Sequence, residues 1–96
     1  MKKGLLILLL LPLIGFGQVD IEKTYYENRN LKSEITTNNG ISDGLSKLYY
    51  ESGKLKIVAK WNEGYPNGKW RYYNDNGQLL KISEYLNGEL IEEEWL

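Results

Sequence analysis

From Ser46 to Trp61, small or apolar side chains alternate with polar ones, interrupted once at Ser52-Gly53. A period of two marks a β-strand with one face to water, and a Ser-Gly interruption marks a hairpin turn. With Ser52 and Gly53 as the central turn residues, Glu51 faces Lys54, Tyr50 faces Leu55, Leu48 faces Ile57 and Ser46 faces Ala59. One face then carries Leu48, Tyr50, Leu55, Ile57, Ala59 and Trp61; the other carries Lys47, Tyr49, Lys56, Val58 and Lys60. A slip of one residue would turn the apolar set to water, so the pattern fixes the register. Downstream, Asn76-Gly77 predicts a type I′ turn that sets Tyr72 opposite Lys81 and Trp70 opposite Ser83. Asn87-Gly88 predicts another, pairing Tyr85 with Leu90, Lys81 with Glu94 and Leu80 with Trp95. In this last hairpin Leu80, Ile82, Leu86, Ile91 and Trp95 gather on the side that is polar in the preceding one. That requires either a twist strong enough to make a second cluster or a cover over the hairpin. Upstream, 19–26 reads as a leading strand and Leu31 to Thr37 as the next, closed by an Asn38-Asn39-Gly40 turn. Pro66 cannot donate to a ladder and is expected in a loop between Gly64 and Gly68.

The hairpins repeat every 24 residues: Tyr25, Tyr49 and Tyr73; Leu31, Leu55 and Leu79; Gly40, Gly64 and Gly88. Three units follow, 25–48, 49–72 and 73–96. An even period lets equivalent residues face the same side of one sheet. The grammar Gly-x-Trp-x-x-Tyr-x-x-x-Gly-x-Leu at 68–79, followed by Asn-Gly at 87–88, resembles the bacterial variant of the MORN repeat, as found in proteins labelled YwqK-type antitoxins. The resemblance covers about 25–96. It weakens in the first unit, where Arg29 replaces the turn glycine and Ser46 stands in the column of Trp70. A degenerate terminal unit is a usual feature of repeat arrays. The expected fold is an all-β, single-layer antiparallel sheet of six or seven strands made of consecutive hairpins. The resemblance implies an antitoxin-like repeat protein.

Residues 1–18 combine Lys2-Lys3, an apolar run from Leu5 to Ile14 and the small residues of Gly15-Phe16-Gly17. This is the pattern of a signal peptide cleaved near Gln18 or Val19, too short for the roughly 20 apolar residues of a membrane span. The expected division is a signal peptide at 1–18 and a repeat domain at 19–96, exported to the periplasm or the extracellular space, with membrane contact only through the uncleaved signal segment. After residue 18, ten Lys and Arg stand against thirteen Asp and Glu, a charge of about −3. No basic stripe is present for nucleic acid. Without cysteine the domain has neither a lipid attachment site nor disulfides.

Catalytic chemistry finds no support in the residues. There is neither His nor Cys, which removes the ordinary zinc ligands and the commonest base for a serine nucleophile. Glu92-Glu93-Glu94 alternates faces on a strand and reads as edge protection. No catalytic, metal or cofactor site is expected. Eight tyrosines and three tryptophans remain. Such rings stiffen a pleated surface, yet a single sheet cannot bury both faces. The aromatic face, with Tyr50, Trp61, Trp70, Tyr72 and Tyr85, is therefore the expected binding surface, its partner another protein. The alternative is an envelope-associated structural repeat that binds glycan or lipid through the same face.

Overall fold

The computed structural model describes residues 18–96; the expected signal peptide at 1–18 lies outside the described residues except for Gln18. The chain runs β1 (Val19–Tyr25), β2 (Leu31–Asn38), β3 (Ile41–Tyr49), β4 (Leu55–Asn62), β5 (Tyr65–Pro66), β6 (Gly68–Tyr73), β7 (Leu79–Leu86) and β8 (Glu89–Trp95). Each pairs antiparallel with its sequence neighbour, β5 and β6 both lying against β4, so one open sheet runs from β1 to β8 in chain order. All strands belong to this one sheet, whose thinnest dimension is 12 Å.

Two kinds of turn alternate along the chain. At one end of the sheet Asn39-Gly40, Glu63-Gly64 and Asn87-Gly88 all have positive φ at both residues, the geometry of two-residue type I′ hairpins. At the other end the fourth residue of each turn donates to the carbonyl of the first: Arg29 to Tyr26 at 2.9 Å, Gly53 to Tyr50 at 2.9 Å and Gly77 to Asn74 at 3.0 Å. That fourth residue is left-handed in every case, so these are type I turns closed by a glycine-type bulge. The expected central pairs Ser52-Gly53 and Asn76-Gly77 are therefore corrected to Glu51-Ser52 and Asp75-Asn76. Local side-chain chemistry favours this form: Asn74 Oδ1 accepts from the Asn76 and Gln78 amides at 2.9 and 3.0 Å. Asn is favoured at the first position of a type I turn. The hairpin bodies keep the expected register, with Leu48 against Ile57, Ser46 against Ala59, Trp70 against Ser83 and Tyr72 against Lys81. Only at the turn does the bulge pair Tyr49, not Tyr50, with Leu55.

Pro66 is also corrected from loop to strand: it pairs with Trp61 in β5. The ladder then breaks at Asn67 and resumes in β6, and a proline is tolerated beside such a break. The same irregularity occurs 24 residues earlier, where Thr36 faces the extra residues between Ser42 and Ser46. Gly44 and Gly68 make both bends at φ of 102° and 109°. The bends receive the next turn. Glu63 N donates to Asp43 Oδ1 at 3.2 Å and Asn87 N to Asn67 Oδ1 at 2.9 Å; Gly64 N reaches Ser42 O and Gly88 N reaches Pro66 O, both at 2.8 Å. At the opposite end Tyr26 and Tyr50 donate their hydroxyls to the Tyr49 and Tyr73 carbonyls at 2.6 and 2.8 Å. Each unit is tied to the next by the same bonds.

The last hairpin departs from expectation. A bulge between Glu84 and Tyr85 pairs Lys81 with Trp95 and Ile82 with Glu94, while Tyr85 keeps Leu90. Trp95 thereby moves to the aromatic face, and neither a second cluster nor a cover is needed to place it. The buried residues of the sheet are small: Ser33, Thr37, Ser46, Ala59 and Ser83. The large side chains of the same face are half-buried around them, which is how one layer makes a core.

Candidate functional site

Trp61, Trp70 and Tyr85 come from β4, β6 and β7 and form a continuous row. Ring centroids are 5.1 Å apart from Trp61 to Trp70 and 5.2 Å from Trp70 to Tyr85, both pairs tilted by 56°, within the favourable range for edge-tilted aromatic pairs. The bends make room for the row: Trp61 pairs with Gly44 and Tyr85 with Gly68, so on that flank each ring faces a glycine. Trp70 Nε1 donates to the Lys60 carbonyl at 2.9 Å, which satisfies its one polar group and fixes the ring. All three rings stay half-exposed.

Tyr72 sits one row nearer the type I turns. Burial, foremost, and the neighbouring Tyr85 hydroxyl hold its pKa above the ordinary 10.0. Beside it Lys81 Nζ lies 4.3 Å from the Tyr72 ring centre and 4.6 Å from that of Trp95. Glu93 Oε2 is 3.1 Å from the same ammonium and accepts from Ser83 Oγ at 3.2 Å. Lys81 is thus clamped between two rings and neutralised, an arrangement that stiffens the C-terminal edge by about 0.5–2 kcal/mol per cation–ring contact. Tyr50 lies apart from the row. Its hydroxyl is committed to Tyr73, and its ring helps line an apolar hollow of about 210 Å³ with Ile57, Tyr72, Tyr73, Leu80 and Trp95.

Of the five expected residues, Trp61, Trp70, Tyr72 and Tyr85 therefore form one patch, and Tyr50 borders it as an inter-unit tie. Lys81, expected opposite Tyr72, and Trp95 complete the patch; Trp95 was not expected there, because the bulge that brings it to this face has no glycine to announce it. Among the described residues no group of three or more acidic, His or Cys side chains could hold a metal, and no helix is long and apolar enough to cross a membrane.

The family model for the MORN repeat variant matches residues 21–39, 42–62 and 66–87, one segment for each hairpin closed by a type I turn and out of phase with the expected units 25–48, 49–72 and 73–96. The chain belongs to the MORN repeat variant family. No curated protein and no solved structure matches it. MORN repeats are generally interaction modules for proteins or membranes, and their all-β fold is a non-catalytic repeat type.

Proposed function

We propose that this MORN-repeat protein is an exported, non-enzymatic interaction module that binds another protein through the Trp61–Trp70–Tyr85 face, with Tyr72 and Trp95 extending the contact. The row of rings carries the reading. They are held by the ladder and a backbone hydrogen bond, yet stay open on the outer side. Pre-ordered aromatic rings lose little entropy on binding, and Trp and Tyr dominate interface energetics. Export rests on the basic and apolar pattern of 1–18, and an antitoxin-like role rests on the sequence resemblance. For an exported chain that role requires a target outside the cytoplasm.

Trp61→Ala separates a binding face from a core. As a half-buried residue of an open face, Trp61 is expected to leave the circular dichroism spectrum unchanged when truncated, while capture of proteins from the exported fraction weakens by about 2 kcal/mol or more. Unchanged capture by a folded variant would refute the reading. If the loss appears only for cell-wall glycan or lipid vesicles, the partner class is the alternative one.

A further inference from the structure

The face opposite the aromatic row is polar, and its charges are sorted. Cross-strand register sets Leu45 beside Lys60, Lys69 beside Glu84 and Glu84 beside Glu92. Lys60 stands at the bend, its side chain against Gly68, and lines one basin with Lys69. One row therefore reads Leu45, Lys60, Lys69, Glu84, Glu92 across β3, β4, β6, β7 and β8. The adjacent row reads Lys47, Val58, Arg71, Ile82, Glu94. Lys60, Lys69 and Arg71 share a shallow basin with Leu45 and Val58, and Glu84, Glu92 and Glu94 share another with Lys69 and Ile82. The two basins are contiguous through Lys69 and Glu84. Basic charge thus sits over β4 and β6, acidic charge over β7 and β8.

Among the described residues the ion pairs within the chain are Lys23–Glu34 and Lys81–Glu93, so none of these six charges is paired. Glu84 and Glu92 are like charges across a ladder, and Lys60 and Lys69 crowd like charge into one basin; like charges directly opposite destabilise a lone sheet. A second sheet with the inverse order of charge would relieve both.

We propose that this face pairs two copies of the chain about a two-fold axis that runs along the strands between β6 and β7. The operation keeps position along the strand and reverses strand order. It lays β6 over the partner copy's β7 and β4 over its β8. Lys69 then meets Glu84 of the other copy and Lys60 meets its Glu92, each contact occurring twice, as an isologous interface requires. Arg71 lies over the other copy's Ile82 and reaches toward its Glu94. Sheets stacked face to face stand about 10 Å apart, a gap that opposed Lys and Glu side chains span. The overlap is four strands, roughly 19 Å wide at about 4.8 Å per strand, so the dimer belongs to the small, weak and salt-sensitive class of interfaces. Both aromatic faces point outward, so the dimer would hold two partner proteins back to back.

The experiment is sedimentation velocity on the purified protein and on two charge-reversed variants, Lys60→Glu/Lys69→Glu and Glu84→Lys/Glu92→Lys. Wild type is expected to dimerise at about 100 μM in low salt and to weaken on the order of tenfold in 0.5 M sodium chloride. Each variant alone is expected to be monomeric, and an equimolar mixture to recover a dimer. A neutral variant, Lys60→Gln/Lys69→Gln, covers the case in which charge reversal unfolds the sheet and is also expected to be monomeric. Wild type that stays monomeric at 1 mM in low salt overturns the proposal. So does a dimer that survives in either reversed variant, or a mixture that fails to associate. Trp61→Ala is expected to dimerise as wild type does, which keeps this result separate from that of the aromatic face.

Discussion

Gly68→Ala probes the bend that lets one hairpin receive the next. Gly68 has φ of 109°, and a Cβ there would lie 2.9 Å from Lys60 Cδ and 3.3 Å from Lys60 Cβ. A non-glycine residue held in so sparsely populated a region costs about 1–3 kcal/mol. Lys60 Cδ can swing aside, but its Cβ is fixed to β4, so the displaced side chain adds about 0.5–1.5 kcal/mol of rotamer strain. The sum is about 1.5–4.5 kcal/mol. Two controls grade the argument. At Gly77 φ is 86° with nothing within 4 Å of the added atom, so alanine should cost only about 1 kcal/mol. At Gly44 φ is 102° and the nearest atom, Thr36 Cγ2, lies at an ordinary 3.5 Å, so the backbone effect acts without the clash. Urea melts followed by tryptophan fluorescence should rank the losses Gly68→Ala, Gly44→Ala, Gly77→Ala, with an unchanged m value. A domain of about 80 residues is stable by roughly 4–12 kcal/mol, so the first variant should lose a large part of its cooperative transition. Equal losses at Gly68 and Gly77 would refute the bend as the source of the requirement.

Tyr50→Phe removes the hydroxyl that donates to the Tyr73 carbonyl at 2.8 Å. Because the carbonyl is left without that donor, the loss should be about 1–2 kcal/mol by denaturant melt; a neutral effect would mean that the tie between units is not energetic. Tyr72 should show in the alkaline limb of stability. Its folded pKa lies above the unfolded 10.0, so the folded state holds the proton more tightly, and the contribution is complete below pH 10 and lost as pH rises through the raised value. Tyr72→Phe should flatten that limb above pH 10, and parallel limbs for the two proteins would count against the assignment.

The bodies of the hairpins were legible because alternation leaves one register that keeps Leu48, Ile57, Ala59 and Trp61 together. The turns were less so. Asn76-Gly77 carries the dipeptide of a type I′ turn, but Asn74 binds the amides of Asn76 and Gln78 and draws the turn one residue toward itself. Glu63 was missed for the opposite reason: it adopts φ of 48° with a side chain that gives no hint of it, held by Asp43 and the neighbouring unit. The first is a local side-chain bond overriding a dipeptide signal; the second is a tertiary bond selecting a conformation that local propensity leaves undecided. The aromatic patch was legible in part, since period two puts Trp70 and Tyr72 on one face, whereas strand order and the tie through Tyr50 required the sheet.

Departure from the repeat, rather than the repeat itself, completes the aromatic face. Ile91 and Glu92 stand 24 residues after Asn67 and Gly68, where the pattern demands an acceptor side chain and a glycine. Glu92 is exposed strand with no positive φ, so the chain cannot make the deep bend of the earlier units and makes a single-residue bulge beside Tyr85 instead. One fewer extra residue reverses the facing of everything after it. The column of Arg71 then delivers Trp95 to the side of Tyr72 and Lys81, and Glu92 and Glu94 pass to the charged side. A faithful third copy of the bend would have put residue 95 on the polar face and left Lys81 with one ring. The same substitution therefore ends the docking geometry for a further unit of this kind, supplies the second ring of the Lys81 clamp and loads the opposite face with carboxylates.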